Sequence, residues 1–233
     1  MNAELFLKER GVTRLCHFTK LKDLTHIIAT DNGVLASNAI RPDVKDPKDP
    51  ARYDGELDYV CCSIEYPNSW YLRKVQERDQ NQIFKEWAVV YIDLSVLKYR
   101  PIKFCPCNAA REKGRYVKED LSTLDSLFAS PDILSRSRSA RMLTCCPTND
   151  QAEILVRDSI PLSFIKGFAV CCQDDAKMVY SMLRTFEKPD VPIYVAPDVL
   201  GTKWSRQIRE GVRPDEIDVF DRMGDLQCKE YHR

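Results

Sequence analysis

The sequence predicts a single mixed α+β domain over residues 1–233, with a β-sheet core, flanking helices and long loops carrying the functional groups. Three observations predict it. Apolar runs of strand length are interspersed with segments of helical spacing. No linker or internal repeat divides the chain, and its 44% apolar content suffices for one sizeable core. Finally, apolar periodicity vanishes over residues 37–57, where Pro42, Pro47 and Pro50 interrupt a charged run. Structureless loops longer than about fifteen residues are uncommon in compact domains unless they are functional or disordered.

The elements follow in order. Residues 2–10 set Leu5 and Phe6 among charges and stop at Gly11, giving a short amphipathic helix closed by a glycine. Residues 14–19 alternate as a strand, with His17 and Thr19 where it turns over. Leu21, Leu24, Ile27 and Ile28 recur at helical spacing until Asp31-Asn32-Gly33, and residues 34–36 restart an apolar run. A strand is expected at 58–64 and a helix from Ser69. Residues 87–94 are almost continuously apolar, as a central strand requires. From 105 to 149 the pattern weakens to loop, apart from a short helix at 121–128 and a basic run, Ser135-Arg136-Ser137-Arg138-Ser139-Ala140-Arg141, either a solvated surface loop or a phosphate-tracking patch. A polar turn, Thr148-Asn149-Asp150-Gln151, then abuts the strand Ile154-Leu155-Val156, leaving Glu153 at the junction. Beyond it lie a strand at 168–172, an amphipathic helix at 174–186 and an edge strand at 191–195.

Charge and cysteine spacing exclude several classes. Lys plus Arg equals Asp plus Glu at 35 each, so no global field attracts nucleic acid or membrane, and a polyanion site must be local. No uncharged stretch reaches spanning length and no signal-peptide pattern opens the chain, so a soluble cytoplasmic protein without membrane partners is expected. Ten cysteines fall without a C-x2-C pair, the wrong spacing for a zinc ribbon, and are read as buried free thiols with no metal. Glycine-rich phosphate loops and H-E-x-x-H are absent. His26 and His232 read as structural or solvated, and spacing selects no cysteine as a nucleophile. For Glu153 two readings stand open: a solvated strand-edge glutamate, or an acid meeting a ligand at the mouth of a sheet.

Taken together, Arg14-Leu15-Cys16-His17-Phe18-Thr19, the helix ending at Gly33-Val34-Leu35, Ala51-Arg52-Tyr53-Asp54-Gly55, Ser63-Ile64-Glu65-Tyr66-Pro67-Asn68 and Asp150-Gln151-Ala152-Glu153-Ile154-Leu155-Val156 resemble the DarT family. Those toxins transfer ADP-ribose from NAD onto a nucleobase of single-stranded DNA, and a similar enzyme modifies messenger RNA in phage defence. The resemblance implies an ADP-ribosyltransferase-like fold, NAD as co-substrate, single-stranded nucleic acid as acceptor and a cognate antitoxin. It implies Glu153 and Arg52 as catalytic, with Arg41 the rival for the arginine. It further implies His17, Thr19, Arg52 and Asn68 at NAD, and Gln151 at the acceptor. The basic run adds Arg136 and Arg138 as phosphate contacts. Rival readings are transfer onto RNA, an NAD glycohydrolase and a Cys-rich, non-catalytic nucleic-acid-binding module.

Overall fold

The structure, a computed structural model, describes residues 2–41 and 53–221. The first helix, α1 (Ala3–Glu9), is capped by the Asn2 side chain, which accepts from the Glu4 and Leu5 amides. After β1 (Leu15–Lys20) a 3-10 turn leads into α2 (Leu24–Ala29) and the short β2 (Val34–Leu35). Next come β3 (Tyr59–Ile64), α3 (Ser69–Asp79), β4 (Trp87–Ile92), α4 (Val96–Tyr99) and β5 (Ile102–Cys105). A long irregular segment precedes β6 (Glu153–Arg157) and β7 (Ser159–Ile160). The chain continues through β8 (Ile165–Val170), α5 (Gln173–Thr185), β9 (Ile193–Val195), α6 (Trp204–Arg209) and β10 (Ile217–Asp218).

Among the described residues the strands form an eight-stranded sheet in the order β10-β9-β8-β4-β1-β3-β6-β5, antiparallel except where β8 meets β9, while β2 and β7 pair separately. As its continuous apolar run requires, β4 lies inside the sheet and is buried at every position. The α3 helix covers one face of β1 and β4, where Tyr71 and Trp87 both pack on Phe18. α5 packs against β8 and β9. A small second core of Tyr59, Cys105, Cys107, Ala109 and Leu155 sits where the irregular segment crosses the β3-β6-β5 end. No helix among the described residues is long and apolar enough to cross a membrane.

Three expectations need correction. The strand expected at 168–172 ends at Val170, and Cys171 and Cys172 are exposed thiols at the start of α5 rather than buried ones. The segment 191–195 is not the sheet edge, because β10 pairs outside β9. It is held there by long-range polar contacts: Arg14 pairs with Glu216, Tyr91 Oη donates to Glu216 Oε2 (2.9 Å), and Arg213 Nη1 donates to Glu65 Oε1 (2.8 Å). The segment at 102–105, to which the sequence pattern assigned no element, is strand β5, whose Phe104 and Cys105 pair with Ile154 and Glu153.

Gly33 is required where α2 turns into β2. Its φ is +62°, and a Cβ there would stand 2.2 Å from the Ile160 carbonyl oxygen. Gly33→Ala is expected to lower unfolding free energy by more than about 2 kcal/mol, combining left-handed strain with displacement of β7. Urea unfolding with an unchanged midpoint would show that the turn relaxes freely.

Candidate active site

β1 keeps β4 as a partner along its whole length, but pairs with β3 only at Leu15↔Ile64 and Cys16↔Ser63. β3 meanwhile holds β6 from Tyr59↔Arg157 to Ser63↔Glu153. The ladder between β1 and β3 therefore ends after Cys16, opening a seam with His17, Phe18 and Thr19 on one lip and Cys61 and Cys62 on the other. Backbone groups released at such a seam need new partners. The Cys61 carbonyl finds one in His17, whose Nδ1 lies 2.9 Å away. Since a carbonyl only accepts, Nδ1 carries the proton, which fixes the tautomer and the ring.

Glu153 begins β6 and is only 9% exposed. Directly paired residues of antiparallel strands share a face, so Glu153 projects beside Ser63 on β3 and Cys105 on β5. Its Oε2 accepts from the Ala109 amide at 2.9 Å, and its Oε1 lies 3.5 Å from Asn108 Nδ2. The solvated-edge reading of this glutamate is thereby excluded. Ser63 links it to Asn68, whose backbone N–H donates to Ser63 Oγ at 2.9 Å. Asn68 is 1% exposed and caps α3 through Oδ1, which accepts from the Tyr71 amide at 3.0 Å. Its Nδ2 is buried without a hydrogen-bond partner among the described residues. Orphaned donors of this kind are rare and costly, which makes Asn68 a candidate for ligand contact.

The other expected residues divide. From the strand register, Cys16 stands level with Ser63 and Glu153 across two strand spacings, roughly 10 Å, and His17 lies one residue further along β1, where the seam opens. Thr19 sits further along the seam and donates to Asp23 Oδ2 at 3.5 Å. Gln151 is half-buried in the turn before β6, its amide held by Asn149 Oδ1 at 3.1 Å. Arg136 reaches Asn149 Oδ1 (2.9 Å) and Asp150 Oδ1 (3.4 Å), bracing that turn. Arg138 donates to the carbonyls of Cys146 (2.6 Å) and Leu143 (2.9 Å). Both guanidinium groups thus hold the approach to Glu153 through contacts with their own chain. Arg52 lies outside the described residues; Arg41, its rival, is exposed at their border.

Ser63, Asn108 and Ala109 escaped the sequence reading. Their link to Glu153 depends on how the sheet brings together positions 44 to 90 apart, separations at which local pattern is silent. Three of the thiols around the site are held protonated. Burial pushes Cys16 up to about 12. Cys62 is raised by burial and by its neighbours Cys16 and Glu153, and Cys105 by its hydrogen bond to Cys107 and by burial. Among the described residues, no group of three or more His, Cys, Asp or Glu could hold a metal ion.

Comparison with known proteins bears on the family and the fold. The model of a family described as "ssDNA thymidine ADP-ribosyltransferase, DarT" matches residues 16–201, a span that includes the seam, Asn68 and Glu153. The chain matches none of the curated proteins. Among solved structures it is similar to Thermus sp. 2.9 DarT in complex with ADP-ribosylated ssDNA, at 19% identity and a TM-score of 0.60, covering 81% of this chain and 96% of that one. The same protein in complex with NAD+ gives 19% identity and a TM-score of 0.58 over 80% and 96% of the two chains. Thermosipho africanus DarTG in complex with ADP-ribose gives 14% identity and a TM-score of 0.51, over 81% of this chain and 51% of that one. These structural likenesses establish the shared mixed α+β fold.

Proposed function

Because this chain belongs to the DarT family of single-stranded-DNA thymidine ADP-ribosyltransferases, we propose that it is an NAD-dependent transferase that attaches ADP-ribose to thymidine in single-stranded DNA and releases nicotinamide. The observation that carries this reading is Glu153, buried at the mouth of β6, aimed by the Ala109 amide and neighboured through Ser63 by the unpartnered Asn68 amide.

In this reading NAD lies along the seam. The bond between the ribose anomeric carbon and the nicotinamide nitrogen breaks, its electron pair leaving with nicotinamide, so positive charge grows on the ribose. An ionised Glu153 accepting from the ribose 2'-hydroxyl stabilises that charge more than it stabilises bound NAD. A new bond then forms from the anomeric carbon to a thymine nitrogen. In thymidine the ring carries one N–H, and Glu153 accepts its proton as the carbon–nitrogen bond closes. Asn68 Nδ2 donates to a cofactor oxygen, while His17 and Thr19 orient the sugar. Arg52 takes the pyrophosphate or a target phosphate as a planar fork. Gln151, next to Glu153 in the turn, contacts the acceptor base. The catalytic unit is one domain, since strands from both ends of the described chain share one sheet.

Short DNA and RNA oligonucleotides incubated with the protein and NAD test the reading by intact mass. A gain of one ADP-ribose on thymidine-containing single-stranded DNA is expected. Gain on RNA alone would reassign the acceptor, and nicotinamide release with no labelled oligonucleotide would identify a glycohydrolase. A toxin role with a cognate antitoxin belongs to the same proposal, with growth arrest by the wild-type protein as its test.

Asn68→Asp separates ligand contact from architecture. Aspartate keeps the cap on the Tyr71 amide and favours a helix N-terminus, but lacks the Nδ2 donor. KM for NAD is expected to rise about tenfold in the folded variant, the loss of one hydrogen bond to a charged or polar ligand group. An unchanged KM would remove Asn68 from the cofactor site.

A further inference from the structure

We propose that Asn108 is a positioning residue for the catalytic carboxylate: the turn 105–110 contacts both oxygens of Glu153 and sets the plane of its carboxylate. The inference rests on the reading of Glu153 as the catalytic acid–base group. Consecutive residues of one turn supply the two donors, the Ala109 amide to Oε2 at 2.9 Å and Asn108 Nδ2 to Oε1 at 3.5 Å. The orientation of the Asn108 amide is itself determined. Its Oδ1 accepts from the Ala110 amide at 3.1 Å, which turns Nδ2 toward Glu153. The turn cannot drift easily, because Cys107 and Ala109 are each 1% exposed in the small second core. Cys105 Sγ and Cys107 Sγ touch at 3.8 Å, and Cys105 is the register partner of Glu153 on β5. Strand β5 thus lies beside the glutamate and the turn folds back over it. Side chains held by a packed support of this kind keep the geometry on which transfer rates depend.

Two substitutions separate positioning from a structural duty of the turn. Asn108→Asp is nearly isosteric and keeps the acceptor for the Ala110 amide, but replaces the donor to Glu153 with a second negative charge. Its kcat for transfer is expected to fall about 100-fold, with KM for NAD within about twofold of wild type. Asn108→Ala removes donor and acceptor without adding charge, and a fall in kcat of about tenfold is expected. If Asn108 served only the turn, aspartate would rescue what alanine loses. A folded Asn108→Asp with wild-type kcat overturns the inference, and if that variant fails to fold, a folded Asn108→Ala with wild-type kcat does so. Wild type and Glu153→Gln are run in parallel. Wild-type transfer that is lost in Glu153→Gln leaves the proposed function standing whatever the Asn108 variants do, whereas an inactive wild type overturns both.

Discussion

Glu153→Gln is expected to lower transfer of ADP-ribose to thymidine-containing single-stranded DNA by at least about 1,000-fold while leaving the thermal midpoint within about 2 °C of wild type. The stability half follows from the contacts. Glutamine retains an amide oxygen to accept from Ala109, the 2.9 Å bond that holds Oε2, and it fits the space beside Ser63 and Cys105. The rate half follows from charge. A neutral amide neither balances the positive ribose carbon nor takes a proton from the base, so electrostatic stabilisation and acid–base transfer disappear together. Oligonucleotide mass after single-turnover reaction is the direct readout. Transfer within tenfold of wild type, at matched concentration and fold, would displace Glu153 from the centre of the mechanism. Growth arrest persisting in this variant would separate toxicity from transfer.

The largest expected loss of stability lies elsewhere, where the far end of β1 meets the last residue of α3. Lys20 Nζ and Asp79 Oδ2 form an ion pair at 3.0 Å with both side chains at most 1% exposed. Lys20 also donates to the Phe84 carbonyl at 3.0 Å and lies 4.6 Å from the Trp87 ring centroid, while Asp79 accepts from Arg78 (2.9 Å) and Gln82 (3.2 Å). Removing one partner strands the other as a buried charge, so Asp79→Ala is expected to cost about 3–5 kcal/mol. That is a large part of a typical domain's stability. An apolar replacement of both, Lys20→Met with Asp79→Leu, is expected to recover much of the loss, because the desolvation of both ions is removed with them.

The same pair sets an acid dependence. Burial alone would raise the Asp79 carboxyl, but hydrogen bonds from Arg78 and Lys20 more than offset it and hold the group below the ordinary carboxylate range. A carboxyl depressed by folding stabilises fully above its unfolded value of about 3.9, and the stabilisation is lost as pH falls through the folded value. Wild type is therefore expected to lose stability faster than Asp79→Asn as pH falls below about 4, by urea unfolding. Parallel pH curves for the two proteins would contradict it.

The sequence by itself determined the elements whose signal is local. The glycine-closed α1, the apolar β4, the amphipathic α5 and the polar turn running into β6 are all written in spacing over a few residues, and Glu153 stood out because that turn left one acid against an apolar run. His17 and Asn68 were visible only as polar residues at or after the end of a strand, and their expected roles at NAD came from the family resemblance. The tertiary structure alone decided which of these meet. Ser63 stands between Glu153 and Asn68 because β3 pairs with β6, and Asn108 and Ala109 reach the glutamate because β5 closes the sheet beside it. Arg136 and Arg138 looked like a free basic run until the fold supplied carbonyl and side-chain oxygens for them. β10 takes the edge from β9 through contacts between Arg14 and Glu216, which are 202 positions apart. Periodicity reports which side of an element is buried, whereas register, seams and long-range ion pairs arise only once distant segments compete for the same hydrogen bonds.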